Sequence, residues 1–197
     1  MIFSLKYDII ATVEITERQG CRMIKSAIAS EYNVGDNVIY KNNGICRICD
    51  IKEMNFTGTE KKLYYVLAPV YSQGSHTYVP VDLPDLRSSM HDLIDKNDID
   101  KAINDSVGVQ LEWPKETKVR AEYLSGVLSE FDRTKTLAVV KRLLAHKCEC
   151  ESRKKKMYAS DMKLLTLAEK MIRDEFAFVL GINREDVFGY IDGVISK

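Results

Sequence analysis

Two regimes of hydrophobic patterning divide the chain. Between residues 34 and 82 apolar positions tend to alternate with polar ones and are cut into short runs by turn residues. Beyond residue 114 they recur at spacings of three and four. The first regime is the mark of half-buried strands and the second of amphipathic helices. Gly35-Asp36 is a turn signal, residues 37–40 form a short strand, and Asn42-Asn43-Gly44 supplies the positive φ angles of a tight hairpin. The return strand over 45–51 sets Ile45, Arg47 and Cys49 on one face against Cys46 and Ile48 on the other. Thr57-Gly58-Thr59 then turns into a nearly continuous apolar and tyrosine run over 63–70, suited to a central strand. Ser72-Gln73-Gly74-Ser75 turns again into 76–81, where Pro80 stops the strand. Before residue 31 the pattern is weak: residues 9–15 suit a strand and 23–29 a short helix or irregular lead-in.

The helical regime resolves into four segments. The first is expected to begin at Pro114, proline being favoured at the first helical position, and carries Leu124, Val127, Leu128 and Phe131 on one stripe. Asp132 caps the second, whose stripe is Leu137, Val140, Leu144 and Cys148. Ser160 caps the third, with Leu165, Ala168, Ile172, Phe176 and Val179 inward and Gly181 closing it, and Asn183 caps a short fourth. Between the regimes, residues 82–112 suggest two short helices, with Ser88 or Ser89 capping one and Asp98 the other. The expected fold is α+β: a small antiparallel β-barrel of the SH3 or Tudor type followed by an all-α bundle. Its parts are an extension (1–30), the barrel (31–82), a connector (83–112) and the helical domain (113–197). A small barrel left partly open exposes an edge strand, which is a template for pairing with another chain.

Charge sharpens this division. The whole chain has no formal net charge, yet residues 82–112 hold eight acids against three bases, and residues 113–173 hold fifteen bases against eight acids. A basic field confined to one helical region is the footprint of a polyanion binder, although a solvated lysine-rich face reads the same way. No apolar run approaches the ~20 residues that span a bilayer, and Lys6 and Asp8 interrupt any leader-like core. A cytoplasmic location is expected. His76, His91 and His146 are scattered, no Gly-x-x-x-x-Gly-Lys phosphate loop occurs, and no nucleophile has a recognisable base. Enzymatic activity is therefore not expected, nor is any cofactor. Cys46 and Cys49, with Cys148 and Cys150, could nominally supply four thiolates to zinc. Cys46 and Cys49 fall on opposite faces of one strand, however, and the other two belong to a helix of the other half, so no metal site is expected.

Trp113, the only tryptophan, stands where the acidic segment gives way to the basic one. Its indole either staples the helix that follows or projects as a contact that stacks on an exposed base.

Several segments together resemble the CarD family of bacterial transcription regulators. They are Val34-Gly35-Asp36-Asn37-Val38-Ile39-Tyr40, Asn42-Asn43-Gly44-Ile45-Cys46-Arg47, Leu63-Tyr64-Tyr65, Pro69-Val70-Tyr71-Ser72, Gly74-Ser75 and Val79-Pro80-Val81-Asp82, continued by Trp113, residues 137–144 and 161–168, and Glu175-Phe176-Ala177. The resemblance implies a Tudor-like domain that pairs its edge strand with the β subunit of RNA polymerase, and a helical domain that contacts promoter DNA at the upstream edge of the transcription bubble. By position, His76, Thr77, Tyr78 and Val79 would form the polymerase-binding edge. Trp113 would be the wedge at the duplex junction, and Lys115, Lys118, Arg120 and Lys163 the phosphate contacts. Two departures are visible: Met54 and Tyr78 stand where better known relatives are arginine-rich, and Pro114, Glu116 and Thr117 follow the tryptophan where those relatives place arginines. Transcription-repair coupling factor has a similar domain, but joined to a helicase motor whose phosphate loop is absent here. The protein is expected to act as a monomer that tunes open-complex stability; an adaptor that binds polymerase without touching DNA is the alternative.

Overall fold

The computed structural model describes residues 31–56, 60–72 and 76–196. The strand expected over 9–15, the helix expected over 23–29 and the turn residues Thr57-Gly58-Thr59 and Gly74-Ser75 lie outside the described residues. Five antiparallel strands form one sheet: β1 (Asn37–Tyr40), β2 (Gly44–Met54), β3 (Lys62–Pro69), β4 (Thr77–Pro80) and β5 (Met90–Asp92), in the order β4-β3-β2-β1-β5. Of the strands expected over 37–40, 45–51, 63–70 and 76–81, the first is observed as expected, the second is longer and the last two are shifted or shortened at their ends. The β1–β2 connection is a short 3-10 turn over Lys41–Asn43, entered at positive φ by Lys41 and left through Gly44 at φ 72°. Alternation along β2 buries Cys46 and Ile48 and exposes Arg47 and Cys49. A bulge between Ile48 and Asp50 shifts the register against β3, which bends a strand of this length. Tyr32, Val38, Cys46, Ile48, Tyr65, Leu67, Val79, Leu86 and Met90 make the core on one side.

β5 was not legible in the sequence. Its three residues follow the one-turn helix α1 (Leu86–Ser89) and pair with β1, with Val38 opposite Asp92. Among the described residues β4 and β5 do not pair, so the expected barrel is an open sheet with an edge at each end. Four- and three-residue edges, one ending in a proline that lacks an N–H, offer too few donors to close it.

The helical part comprises α2 (Lys96–Ser106), α3 (Thr117–Ser129), α4 (Arg133–Ser152), α5 (Ala159–Leu180) and α6 (Val187–Ile195). It has two cores. Ile99, Ala102 and Ile103 of α2 pack with Leu137, Ile172, Phe176, Val187 and Ile191. Leu124, Val127 and Leu128 of α3 pack with Val139, Val140, Leu143, Leu165 and Ala168. The apolar face of the acidic segment thus belongs to the helical core. α4 serves both cores, which explains why its expected stripe is observed only in its first half: Leu137 and Val140 are buried, Val139 and Leu143 are buried beside them, and Leu144 is 38 % exposed and Cys148 exposed. Asp132 caps α4 by accepting from Lys135 N–H at 3.0 Å. α2 is capped by Asp95, which accepts from Asp98 N–H, so Asp98 occupies the third helical position rather than the cap. Tyr158 rather than Ser160 precedes α5, and Gly181 ends it in the left-handed conformation. Phe131 lies beyond α3 at φ 54° and stacks on His91 at 4.3 Å.

That stack is part of a polar and aromatic seam joining sheet to helices. Arg133 donates to both oxygens of Glu175 (2.8 and 3.0 Å) and to the carbonyl of Asp92 (2.8 Å), while Ile94 N–H donates to Glu175. Arg184 pairs with Asp174 at 2.6 Å and sits 5.0 Å from the Tyr71 ring. A cavity of about 350 Å³ remains in the seam, walled by Ile39, Ile45, Leu128, Phe131 and Met171.

Candidate interaction edge and nucleic-acid interface

The first candidate is the outer edge of β4. Its inner side pairs with β3, Val66 opposite Tyr78 and Leu67 opposite Thr77. His76 precedes the strand and is exposed; Thr77, Tyr78 and Val79 lie within it. Val79 is fully buried, so only its backbone is available to a partner. Tyr78 points the other way, 37 % exposed, as strand alternation requires. Its ring lies 5.5 Å from Phe56, which in turn meets Tyr64 edge-on at 5.1 Å, and Lys52 Nζ sits 5.9 Å from the Tyr78 centroid. An exposed aromatic cluster therefore borders the edge. Met54 is half-buried at the end of β2, opposite Lys62 of β3. Thr77 Oγ1 accepts from the Asn43 side chain at 2.9 Å, fixing the start of the strand against the β1–β2 turn.

The second candidate is built around Trp113. The helix expected to start at Pro114 starts at Thr117, with Glu116 at its cap. The reason is Arg120, whose Nη1 donates to the carbonyls of Pro114 (2.9 Å) and Lys115 (3.3 Å). Those carbonyls are thereby drawn away from the helical register. Trp113 sits in an irregular strap over residues 109–116, half-buried with Leu111 against the α3–α4–α5 core. Two guanidinium carbons lie near its ring, Arg120 at 4.8 Å and Arg142 at 4.0 Å, and His146 meets it edge-on at 5.0 Å. Such cation–ring contacts are worth ~0.5–2 kcal/mol each, more as water is excluded. The indole thus packs among two guanidinium groups and an imidazole.

Beneath it lies an ion pair shut off from water. Arg120 Nη2 donates to Asp161 Oδ2 at 2.6 Å and Nε to Oδ1 at 3.4 Å, with side chains 4 % and 0 % exposed. His146 Nε2 lies 3.8 Å from the same carboxylate. Of the four expected phosphate contacts, Lys115, Lys118 and Lys163 are exposed, whereas Arg120 faces Asp161 and the strap. The pair ties the first turns of α3 and α5 together, and Lys118 and Lys163 each stand two positions from one of its members. Sequence reasoning missed Arg142 and His146. Their spacing of four on α4 places both on one helix face, and that was the available signal.

The cysteines are dispersed. Cys46 is buried in the sheet core, where burial pushes its thiol up to about 11. Cys49 and Cys148 are exposed, and Cys150 Sγ lies 3.7 Å from His146 Nε2. Among the described residues no group of three or more His, Cys, Asp or Glu is arranged to hold a metal, and no helix is long and apolar enough to cross a membrane.

Residues 32–94, the sheet with Tyr32 and α1, match the sequence family described as CarD-like/TRCF RID domain. No curated protein matches the chain.

Proposed function

We propose, from the match of residues 32–94 to the CarD-like/TRCF RID domain, that the protein is a non-enzymatic regulator that binds the β subunit of RNA polymerase through β4 and contacts promoter DNA with its helical part. The observation that carries the reading is that β4 stands at the end of the sheet, its outer edge paired with no other strand among the described residues, with Thr77, Tyr78 and the Val79 backbone along it. Main-chain pairing supplies affinity in such a contact, and outward side chains supply selectivity. Tyr78 and its aromatic neighbours take that second role. A pull-down of polymerase from the full chain tests it: Tyr78→Glu is expected to abolish capture while leaving the far-UV spectrum unchanged. Undiminished capture would sink the edge assignment.

On the helical side, Trp113 is the wedge at the duplex junction and Lys115, Lys118 and Lys163 contact phosphates. Arg120 acts as a positioning residue, setting the indole through the strap carbonyls. A regulator that binds the open complex better than the closed one shifts their ratio by its differential affinity, ~1.4 kcal/mol per factor of ten. The test is the affinity of the full chain for forked promoter DNA at low salt, where each phosphate neutralised adds ~0.9 to the log–log salt slope on duplex DNA. The adaptor reading draws its support from the half-burial of Trp113; absence of DNA affinity at low salt would leave it standing.

A further inference from the structure

The connection between α4 and α5 carries Arg153, Lys154, Lys155 and Lys156 in succession, then Met157 and Tyr158. In the sequence this run has the look of a solvated loop. The structure closes it into a defined turn: Lys155 N–H donates to the carbonyl of Cys150 at 2.8 Å, and Lys154 N–H to that of Glu151 at 2.9 Å. This is the paired arrangement that ends a helix through a left-handed residue. That residue is Lys154, at φ 54°. Glycine would sit there without steric cost, so a lysine at this position places a cation where backbone economy does not ask for one.

The rest of the turn is sorted by exposure. Met157 is half-buried against the same α3–α4–α5 core that receives Trp113. Its neighbour Tyr158 is 62 % exposed, while its carbonyl accepts from Met162 N–H to begin α5. All four cations are exposed, and among the described residues none is ion-paired. Two contact paths bind the turn to the indole. Trp113 touches His146, which touches Cys150, whose carbonyl holds Lys155. Trp113 also meets Arg120, which pairs with Asp161, three residues beyond Tyr158. The nearby acids are largely spoken for: Glu149 faces Arg142 and His146, and Asp161 faces Arg120, leaving exposed Glu151 against the four cations.

We propose that the α4–α5 turn is a second nucleic-acid contact, in which Tyr158 stacks on an unpaired base and the cations of residues 153–156 neutralise phosphates of that same single strand. The proposal rests on the DNA-contacting reading above and extends it from the junction to the strand that leaves it. Cations at a helix C-terminus would by themselves be accounted for by the helix dipole. An exposed aromatic ring set among them is not, and it is the combination by which single strands are held without sequence preference. A duplex offers no free base face to such a ring, so the occupant is single-stranded.

The experiment measures fluorescence anisotropy of the full chain with a labelled fork, a duplex bearing one single-stranded arm, and with the blunt duplex of the same sequence. Tyr158→Ala is expected to weaken fork binding about tenfold and to leave blunt-duplex binding and thermal stability unchanged, with Tyr158→Phe restoring the fork affinity. Replacing Lys154, Lys155 and Lys156 by Gln is expected to lower the salt slope on the fork by up to about two. If Tyr158→Ala binds the fork as tightly as wild type while Trp113→Ala does not, the turn proposal is overturned and the junction reading stands. If the wild-type chain binds neither DNA at low salt, both are overturned.

Discussion

Asp161→Asn isolates what holds Trp113 in place. The substitution keeps the shape of the side chain and removes its charge, leaving the Arg120 side chain, 4 % exposed, without its counterion. Removing one member of a buried pair typically costs ~3–5 kcal/mol. The carbonyls of Pro114 and Lys115 remain as acceptors, which places the expectation near the lower end, at ~3 kcal/mol. Against a total stability of ~5–15 kcal/mol that is a large fraction, equivalent to ~6–12 °C in Tm for a chain of this size. Urea unfolding followed by far-UV circular dichroism measures it, and because Trp113 is the only tryptophan its emission reports the site directly. A red shift is expected as the strap loosens. Arg120→Met combined with Asp161→Leu should recover part of the loss, because an apolar pair of similar volume often matches a buried ion pair while the Pro114 and Lys115 carbonyls lose their donor. The double-mutant cycle then yields a coupling energy of the size seen between touching residues. A cost below ~1 kcal/mol for Asp161→Asn, well short of what a buried pair yields, or strict additivity in the cycle, would refute the reasoning.

Other consequences are open to simpler checks. Burial, and then the nearby Arg133 charge, hold the His91 imidazole below its ordinary value. The unfolded chain therefore takes up the proton first, and stability should fall as pH drops below about 6.5. Urea midpoints through that range should show a dependence that His91→Phe reduces; identical profiles would exclude it. Cys46, with its thiol pushed up to about 11, should resist iodoacetamide at neutral pH while Cys49 and Cys148 react, and should become reactive only on unfolding, as peptide mass mapping would reveal. Trp113→Ala should weaken forked-DNA binding about tenfold with a modest change in Tm. A collapse in Tm on that substitution would instead make the indole chiefly a staple of the strap.

The strands were legible because burial on one face writes itself as alternation: β1 is observed over the residues that its pattern marks, and Gly44 takes a positive φ as expected, although the other positive φ of the turn falls on Lys41 and not on Asn42 or Asn43. β5 escaped because three residues are too few to alternate, and its partner β1 lies some fifty residues earlier. α4 misled for the opposite reason. A helix buried on two sides has no single stripe, so Leu137 and Leu143 answer to different cores. At the Trp113 site, a count of charges treats every base as solvated. Nothing local marks Arg120 as the exception, since its partner Asp161 is 41 residues away. Pro114 signalled a helix start that was moved to Thr117 by the same distant pairing, because the Arg120 side chain engages the carbonyls that an earlier start would need.

The seam built by Arg133 and Glu175 has a consequence for affinity. Two recognition surfaces joined by a slack linker gain only the millimolar effective concentration that the linker allows, and lose it steeply as reach and span diverge. Here Arg133 bridges the Asp92 carbonyl at the end of β5 and Glu175 in the middle of α5, so the two surfaces are coupled through one set of hydrogen bonds. On the proposed function, seating β4 on a partner would deliver the Trp113 face to a nearly fixed point and make its encounter with DNA intramolecular. A helical face of moderate basicity is then sufficient. A DNA contact too weak for the free protein would then become, on a docked one, a second grip whose strength is set by geometry more than by charge.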